Sequence, residues 1–205
     1  MTRCKYVLLI ALALMLHPAT AAAEDSFWSE SYRQEALGKY ADAMDSINTW
    51  LKMHPKHEFG IMRRGWLNYL QGKYNASIKD YRSAISLNDK SLEARLGVML
   101  PLMAQNKWRE ALVYGQQIIA IAPWNYYAHV RLLRCEEALE QWSTLANHAH
   151  QVFLRYPSDA TIIVYIARAH DKLGNTKSAI KAYEDVLERV PGHVEASQYI
   201  NSKKN

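Results

Sequence analysis

Residues 64–74 read Arg64-Gly65-Trp66-Leu67-Asn68-Tyr69-Leu70-Gln71-Gly72-Lys73-Tyr74, and Ser77, Tyr81, Ala84 and Ile85 follow. Phe59, Met62, Trp66 and Tyr69 recur at three- or four-residue spacing, which predicts one face of a helix. Gly72 fits the end of that helix, where the chain must turn through a left-handed conformation. Tyr74, Ser77 and Ile85 then lie along one face of a second helix. The unit is a helix, a short turn and another helix.

Outward from this stretch, the pattern repeats. Tyr40, Tyr74, Trp108, Trp142 and Thr176 are spaced by 34 residues. Three residues later stand Ala43, Ser77, Ala111, Leu145 and Ala179, and eight further on Leu51, Ile85, Ile119, Phe153 and Leu187. Pro55, Asp89, Pro123, Pro157 and Pro191 mark the stop, because proline lacks an N–H and clashes with the preceding turn. Gly38, Gly72, Asn106, Glu140 and Gly174 precede each aromatic slot by two. One such helix pair cannot bury its apolar face alone, whereas stacked copies can.

Ahead of the repeats, residues 1–23 read as a secretory signal peptide. Arg3 and Lys5 give a positive start, residues 7–16 (VLLIALALML) are apolar, and Ala19 to Ala23 supply small residues in an A-x-A pattern. His17-Pro18 is expected to break the signal helix. The rival reading is a retained anchor, but an apolar run of 10 falls short of the roughly 20 residues a span needs. Cleavage after Ala23 is the expectation, with a periplasmic address and no membrane span in the mature chain.

That cleavage changes the charge arithmetic. The full 205 residues carry 25 Lys plus Arg and 20 Asp plus Glu; losing Arg3 and Lys5 leaves 23 against 20, a formal +3. Such a balance is no electrostatic footprint for nucleic acid. Of two cysteines, Cys4 leaves with the signal, so Cys135 has no partner for an internal bridge.

The repeat resembles the tetratricopeptide repeat family over about residues 24–193, residues 64–85 most closely. Leu173-Gly174-Asn175, Ala179-Ile180, Tyr183, Leu187 and Pro191 come next. Ser31 and Leu133 stand where that family usually has glycine, Trp50 replaces a small residue, and Pro101 within a first helix predicts a kink. The resemblance implies an all-α, right-handed superhelical solenoid of about five helix–turn–helix repeats with a short C-terminal capping helix. The units are placed at 24–57, 58–91, 92–125, 126–159 and 160–193. Residues 194–205 form a cap and tail, in which Val194, Tyr199 and Ile200 would cover the last repeat. No linker divides the chain, which is read as one elongated domain.

Chemical signatures are sparse. His54 and His57 flank Pro55 without a third ligand nearby in sequence; His148 and His150 lie two apart and point to different faces; His129, His170 and His193 are single. Cys135 reads as a buried inert thiol. Asn75-Ala76-Ser77 fits a glycosylation sequon, although Ser77 is wanted inside the packing. No G-x-S-x-G, G-x-x-x-x-G-K-[ST] or G-x-G-x-x-G occurs, and no cofactor, metal or catalytic residue is assigned.

In the resembled fold the first helices line a concave groove. Here the inward series would be Trp28, Tyr32 and Glu35; Phe59, Met62, Trp66 and Tyr69; Leu96, Leu100 and Met103; Tyr127, Val130, Arg134 and Glu137; Val164, Arg168 and Asp171. The residues expected to touch a partner are Trp28, Tyr32, Phe59, Met62, Trp66, Tyr69, Leu100, Met103, Arg134 and Arg168. Aromatics and Met anchor peptide segments, and Arg can clamp a carboxylate. Periodicity alone does not separate partner contact from packing between helices for Trp28, Trp66 and Tyr69. The reading is a non-catalytic exported adaptor that holds a protein or peptide segment and assists an envelope complex. Its rivals are a homo-oligomer whose groove holds another copy and, more remotely, an enzyme framed by repeats.

Overall fold

A computed structural model describes residues 17–203, with side chains from Ser26 onward. Among the described residues there are eleven helices and no strands. They are α1 (His17–Ala36), α2 (Tyr40–Met53), α3 (Glu58–Leu70), α4 (Tyr74–Leu87), α5 (Leu92–Ala104), α6 (Trp108–Ile121), α7 (Tyr126–Ala138), α8 (Trp142–Arg155), α9 (Ala160–Lys172), α10 (Thr176–Arg189) and α11 (Val194–Ser202). The chain is an all-α helical-repeat solenoid. The positive start and apolar run expected of a signal peptide, and the terminal Lys204 and Asn205, lie outside the described residues. The backbone of α1 is already helical at His17-Pro18 and runs through the expected cleavage site at Ala23.

Every turn from a first helix to a second is built the same way. Gly38, Gly72 and Gly174 have φ of +72°, +71° and +76°, and Asn106 and Glu140 adopt the same left-handed conformation at +58° and +56°. Each donates its N–H to the carbonyl three residues back. The next residue (Lys39, Lys73, Lys107, Gln141 or Asn175) donates to the carbonyl five back, at 2.8–2.9 Å. That pair of bonds satisfies carbonyls that a helix end leaves open.

At the other turn the second helices stop two residues before Pro55, Asp89, Pro123, Pro157 and Pro191. The capping residue between is non-helical, as the position before proline prefers, and Asn88 adopts that form ahead of Asp89 too.

A further 34-residue register appears here. His57, Ser91, Asn125, Asp159 and His193 each cap a first helix, their side chains accepting backbone N–H groups of Gly60, Ala94, Ala128, Thr161 and Ala196 at 2.8–3.2 Å.

The chain divides into two compact units, residues 1–97 and 98–205, with the boundary inside α5. In the first, Ala43, Ile47, Trp50, Leu51, Ile61 and Leu67 form the core. Trp50 fits despite its size because Gly60 opposes it: a Cβ there would lie 2.7 Å from the ring. Tyr81 is held between Gly65 and Gly97, where added Cβ atoms would come within 3.2 and 2.1 Å of the ring.

In the second unit, Leu133, Leu145, Ala149, Val152, Ile162, Ile163 and Val186 are buried together. The small slot of the second helices is fully buried in both units, at Ala43, Ser77, Ala111, Leu145 and Ala179. Ser77 spends its hydroxyl on the carbonyl of Gly65, at 2.7 Å.

α5 contains Pro101 and continues for three residues past it. One expectation needs correcting. The last repeat is covered by Ala196 and Ile200, with Tyr199 stacked on Tyr183 at 4.5 Å, while Val194 faces solvent at 67% exposure.

Candidate functional site: an aromatic pocket in the first unit

Four of the residues expected to touch a partner meet in one place. Tyr32 on α1 and Phe59, Met62 and Trp66 on α3 line a pocket of about 350 Å³, together with Glu35, Arg63, Tyr81 and Glu93. The spacing on α3, three then four residues, brings its three side chains to one face.

The base of the pocket is polar but satisfied. Arg63 is only 5% exposed; its guanidinium donates to Ser31 Oγ from two nitrogens at 3.1 Å and is ion-paired with Glu35. The other oxygen of Glu35 accepts from Trp66 Nε1 at 2.7 Å. Tyr32 lies over the guanidinium, 4.0 Å from its carbon to the ring centroid. A buried cation without such partners would be strongly destabilising. Here its charge is neutralised within the chain, so the pocket offers rings and a thioether, with the Glu93 carboxylate at its edge, and no free cation.

Tyr32 and Phe59 are exposed, at 48% and 47%, although both are large and apolar-bodied. Trp28 is half-buried instead: it meets Trp50 edge-on at 4.8 Å and Phe59 at 5.0 Å, as part of the first unit's core. Tyr69 packs its ring beside Trp66 and Tyr74, at 5.6 and 5.9 Å, and is not among the pocket's lining residues.

The remaining predicted residues lie in the second unit. Leu100 and Met103 are half-buried on α5 and Arg134 is exposed on α7. Arg168 already clamps carboxylates, those of the chain itself: Glu195 takes two of its nitrogens at 2.8 and 2.5 Å and Glu137 a third at 3.0 Å. Glu195 also accepts from Tyr183. Arg168 holds the Glu195 carboxyl below the usual carboxylate range.

The histidines form two pairs that sequence spacing did not reveal. His129 Nε2 faces the carbonyl of Pro123 at 2.8 Å, its Nδ1 faces His148 Nε2 at 2.9 Å, and His148 Nδ1 meets Glu136 at 2.9 Å. Burial pushes His129 towards the neutral form. His150 and His170 face each other through Nε2 at 3.4 Å. Their sequence separations, 19 and 20, link a first and a second helix and fall outside the 34-residue register.

Cys135 is fully buried, and burial pushes its thiol up to about 12, which leaves it protonated and unreactive at neutral pH. Among the described residues, no three His, Cys, Asp or Glu side chains are grouped to hold a metal ion, and no helix is long and apolar enough to cross a membrane.

Comparison with known proteins agrees with this architecture. Tetratricopeptide repeat models match residues 61–91 and 163–193. No curated protein matches the chain. Among solved structures, MamA from residue 41 to the end, from Desulfovibrio magneticus RS-1, superposes with a TM-score of 0.76 at 14% identity, over 84% of this chain and 97% of that one. YrrB, described as a TPR protein with an unusual peptide-binding site, gives a TM-score of 0.71 at 12% identity, over 85% and 89%. TTC0263, a thermophilic TPR protein of Thermus thermophilus, gives 0.62 at 15% identity, over 87% and 97%. Helix pairs repeating every 34 residues, with the same two turns each time, agree with the two family-model matches, which identify tetratricopeptide repeats at residues 61–91 and 163–193.

Proposed function

We propose that the chain is a non-catalytic adaptor, exported after removal of residues 1–23, which holds a protein segment against the aromatic pocket of its first unit and assists assembly of an envelope complex. One observation carries the reading: Tyr32 and Phe59 stand exposed beside Met62 and Trp66, above a base whose only buried cation is already paired. Such a pocket suits an apolar or aromatic side chain of an extended segment. Glu93, exposed at its edge, suits a basic residue beside that anchor. The tetratricopeptide relationship and the peptide-binding site named for YrrB support the reading. Repeat boundaries at 24–57, 58–91, 92–125, 126–159 and 160–193 belong to the same proposal.

The test removes the exposed rings. Tyr32→Ala with Phe59→Ala leaves the Glu35–Arg63–Trp66 bonds in place, whereas Trp66→Ala would strip a donor from Glu35 and disturb the base of the pocket. Loss of an aromatic anchor at an interface centre commonly costs about 2 kcal/mol or more in binding. The double variant should keep its far-ultraviolet circular dichroism and lose the partner that the native protein captures from an envelope extract. Unchanged capture would remove the pocket from the account. A solution mass of twice the chain, abolished by the same variant, would favour a second copy as occupant.

A further inference from the structure

Two pairs of facing histidines lie in the second unit, and they differ in what their ring nitrogens do. In the His129–His148 pair every ring nitrogen has a partner, with the carbonyl of Pro123 at one end and the Glu136 carboxylate at the other. That is a closed chain of hydrogen bonds with nothing left to bind. The pair of His150 on α8 and His170 on α9 is different. Their Nε2 atoms are 3.4 Å apart, long for a hydrogen bond. His170 Nδ1 is buried without a hydrogen-bond partner. Both rings line a pocket of about 350 Å³ with Phe153, Ser178, Lys181 and Asp185.

A distance of 3.4 Å has another meaning. Two nitrogens bound to one ion at about 2.0–2.1 Å with a tetrahedral angle stand about 3.3–3.4 Å apart. We propose that His150 and His170 form an open two-histidine site for a divalent transition-metal ion such as Zn²⁺ or Ni²⁺, its remaining positions left to water or an incoming donor.

The surroundings set its strength. Burial, and the neighbouring His150, hold His170 towards the neutral form, and an imidazole must be neutral to ligate. Asp185 favours a cation in the pocket and Lys181 opposes it, so the local charge is roughly balanced. Ligation through Nε2 puts the proton on Nδ1, where His170 has nothing to receive it. A missing outer partner of that kind costs about 10–100-fold in affinity. The site is therefore a weak one, filled when metal is plentiful. Its existence does not depend on the adaptor reading, because the aromatic pocket belongs to the other unit.

Calorimetric titration of the tag-free protein with Zn²⁺ at about pH 7.5 tests the site. One ion per chain is expected. His150→Ala should lower the affinity at least about tenfold, and because His150 is exposed the helicity should be unchanged. His170→Ala should do the same, and so should lowering the pH to about 5.5, because metal affinity of an imidazole site falls as protons compete with the ion. His148→Gln and the pair His54→Ala with His57→Ala should bind as the native chain does. No binding to the native protein, or native affinity in His150→Ala, overturns the proposal. So does a loss of binding that follows His54 and His57 instead.

Discussion

Glu140 occupies a left-handed turn position that glycine fills in three of the five repeats, and it does so with a side chain. The left-handed conformation costs an L-residue roughly 1–2 kcal/mol, partly offset by the greater freedom glycine has in the unfolded chain. Glu140→Gly should therefore stabilise the second unit by about 0.5–1 kcal/mol in chemical denaturation. Gly97→Ala works in the opposite direction. Its Cβ would stand 2.1 Å from the Tyr81 ring, which Gly65 already confines from the other side. Overpacking of this kind costs about 1–3 kcal/mol, and a denaturation curve of the substituted protein should show that loss.

Among the elements, the small slot of the second helices is the first to test. Ala179 is fully buried on α10, and Ala179→Leu should destabilise by about 1–3 kcal/mol in thermal or chemical unfolding. The native Leu145 in the same slot of α8 marks a repeat that has adapted to bulk, so Leu145→Ala should also destabilise, by leaving a cavity. The joint between α9 and α11 is electrostatic. Arg168 lowers the Glu195 carboxyl in the folded state, so the pairing stabilises α11 fully above the unfolded value near 4.5 and is lost as the pH falls through the lower folded value. Hydrogen exchange of α11 amides should rise over that acidic window in the native protein and not in Glu195→Gln.

Residue identity announced these elements unevenly. Proline, the small slot and the turn glycines recur at fixed intervals with a fixed chemistry, so the second helices and both turns were legible in the sequence. The caps of the first helices escaped because His57 and His193 are unusual in that role beside Ser91, Asn125 and Asp159, which could have been found. The base of the pocket escaped for a different reason. Ser31 and Glu35 meet Arg63 across 32 and 28 residues, and nothing in a periodic pattern marks Arg63 as the cation that folds inward beside Met62. Arg168 was expected to face a partner; the carboxylates it clamps come instead from α7 and α11 of its own chain.

For the whole molecule, the address is the property to measure. The charged start, apolar run and A-x-A pattern of residues 1–23 carry the proposal of export. Mass spectrometry of protein recovered from the native host should find Glu24 at the N-terminus. Recovery from membranes of a chain that still begins at Met1 would remove the periplasmic adaptor from consideration. Binding and folding experiments belong on the processed form, in which α1 would keep Phe27, Trp28, Ser31 and Tyr32.

The regularity of the turns has a consequence for how such a gene can change. The first helices α3, α5, α7, α9 and α11 begin 34 residues apart, and so do the second helices, with three residues in one connection and four in the other each time. Unequal recombination between corresponding codons of two repeats removes or adds 34 codons and rejoins a capping residue to the helix start it would cap. A crossover of any other size puts a polar cap inside a helix or a left-handed turn residue inside a core. Length in this lineage is therefore quantised by the turns, and relatives of the chain should differ by whole repeats far more readily than by a few residues within one.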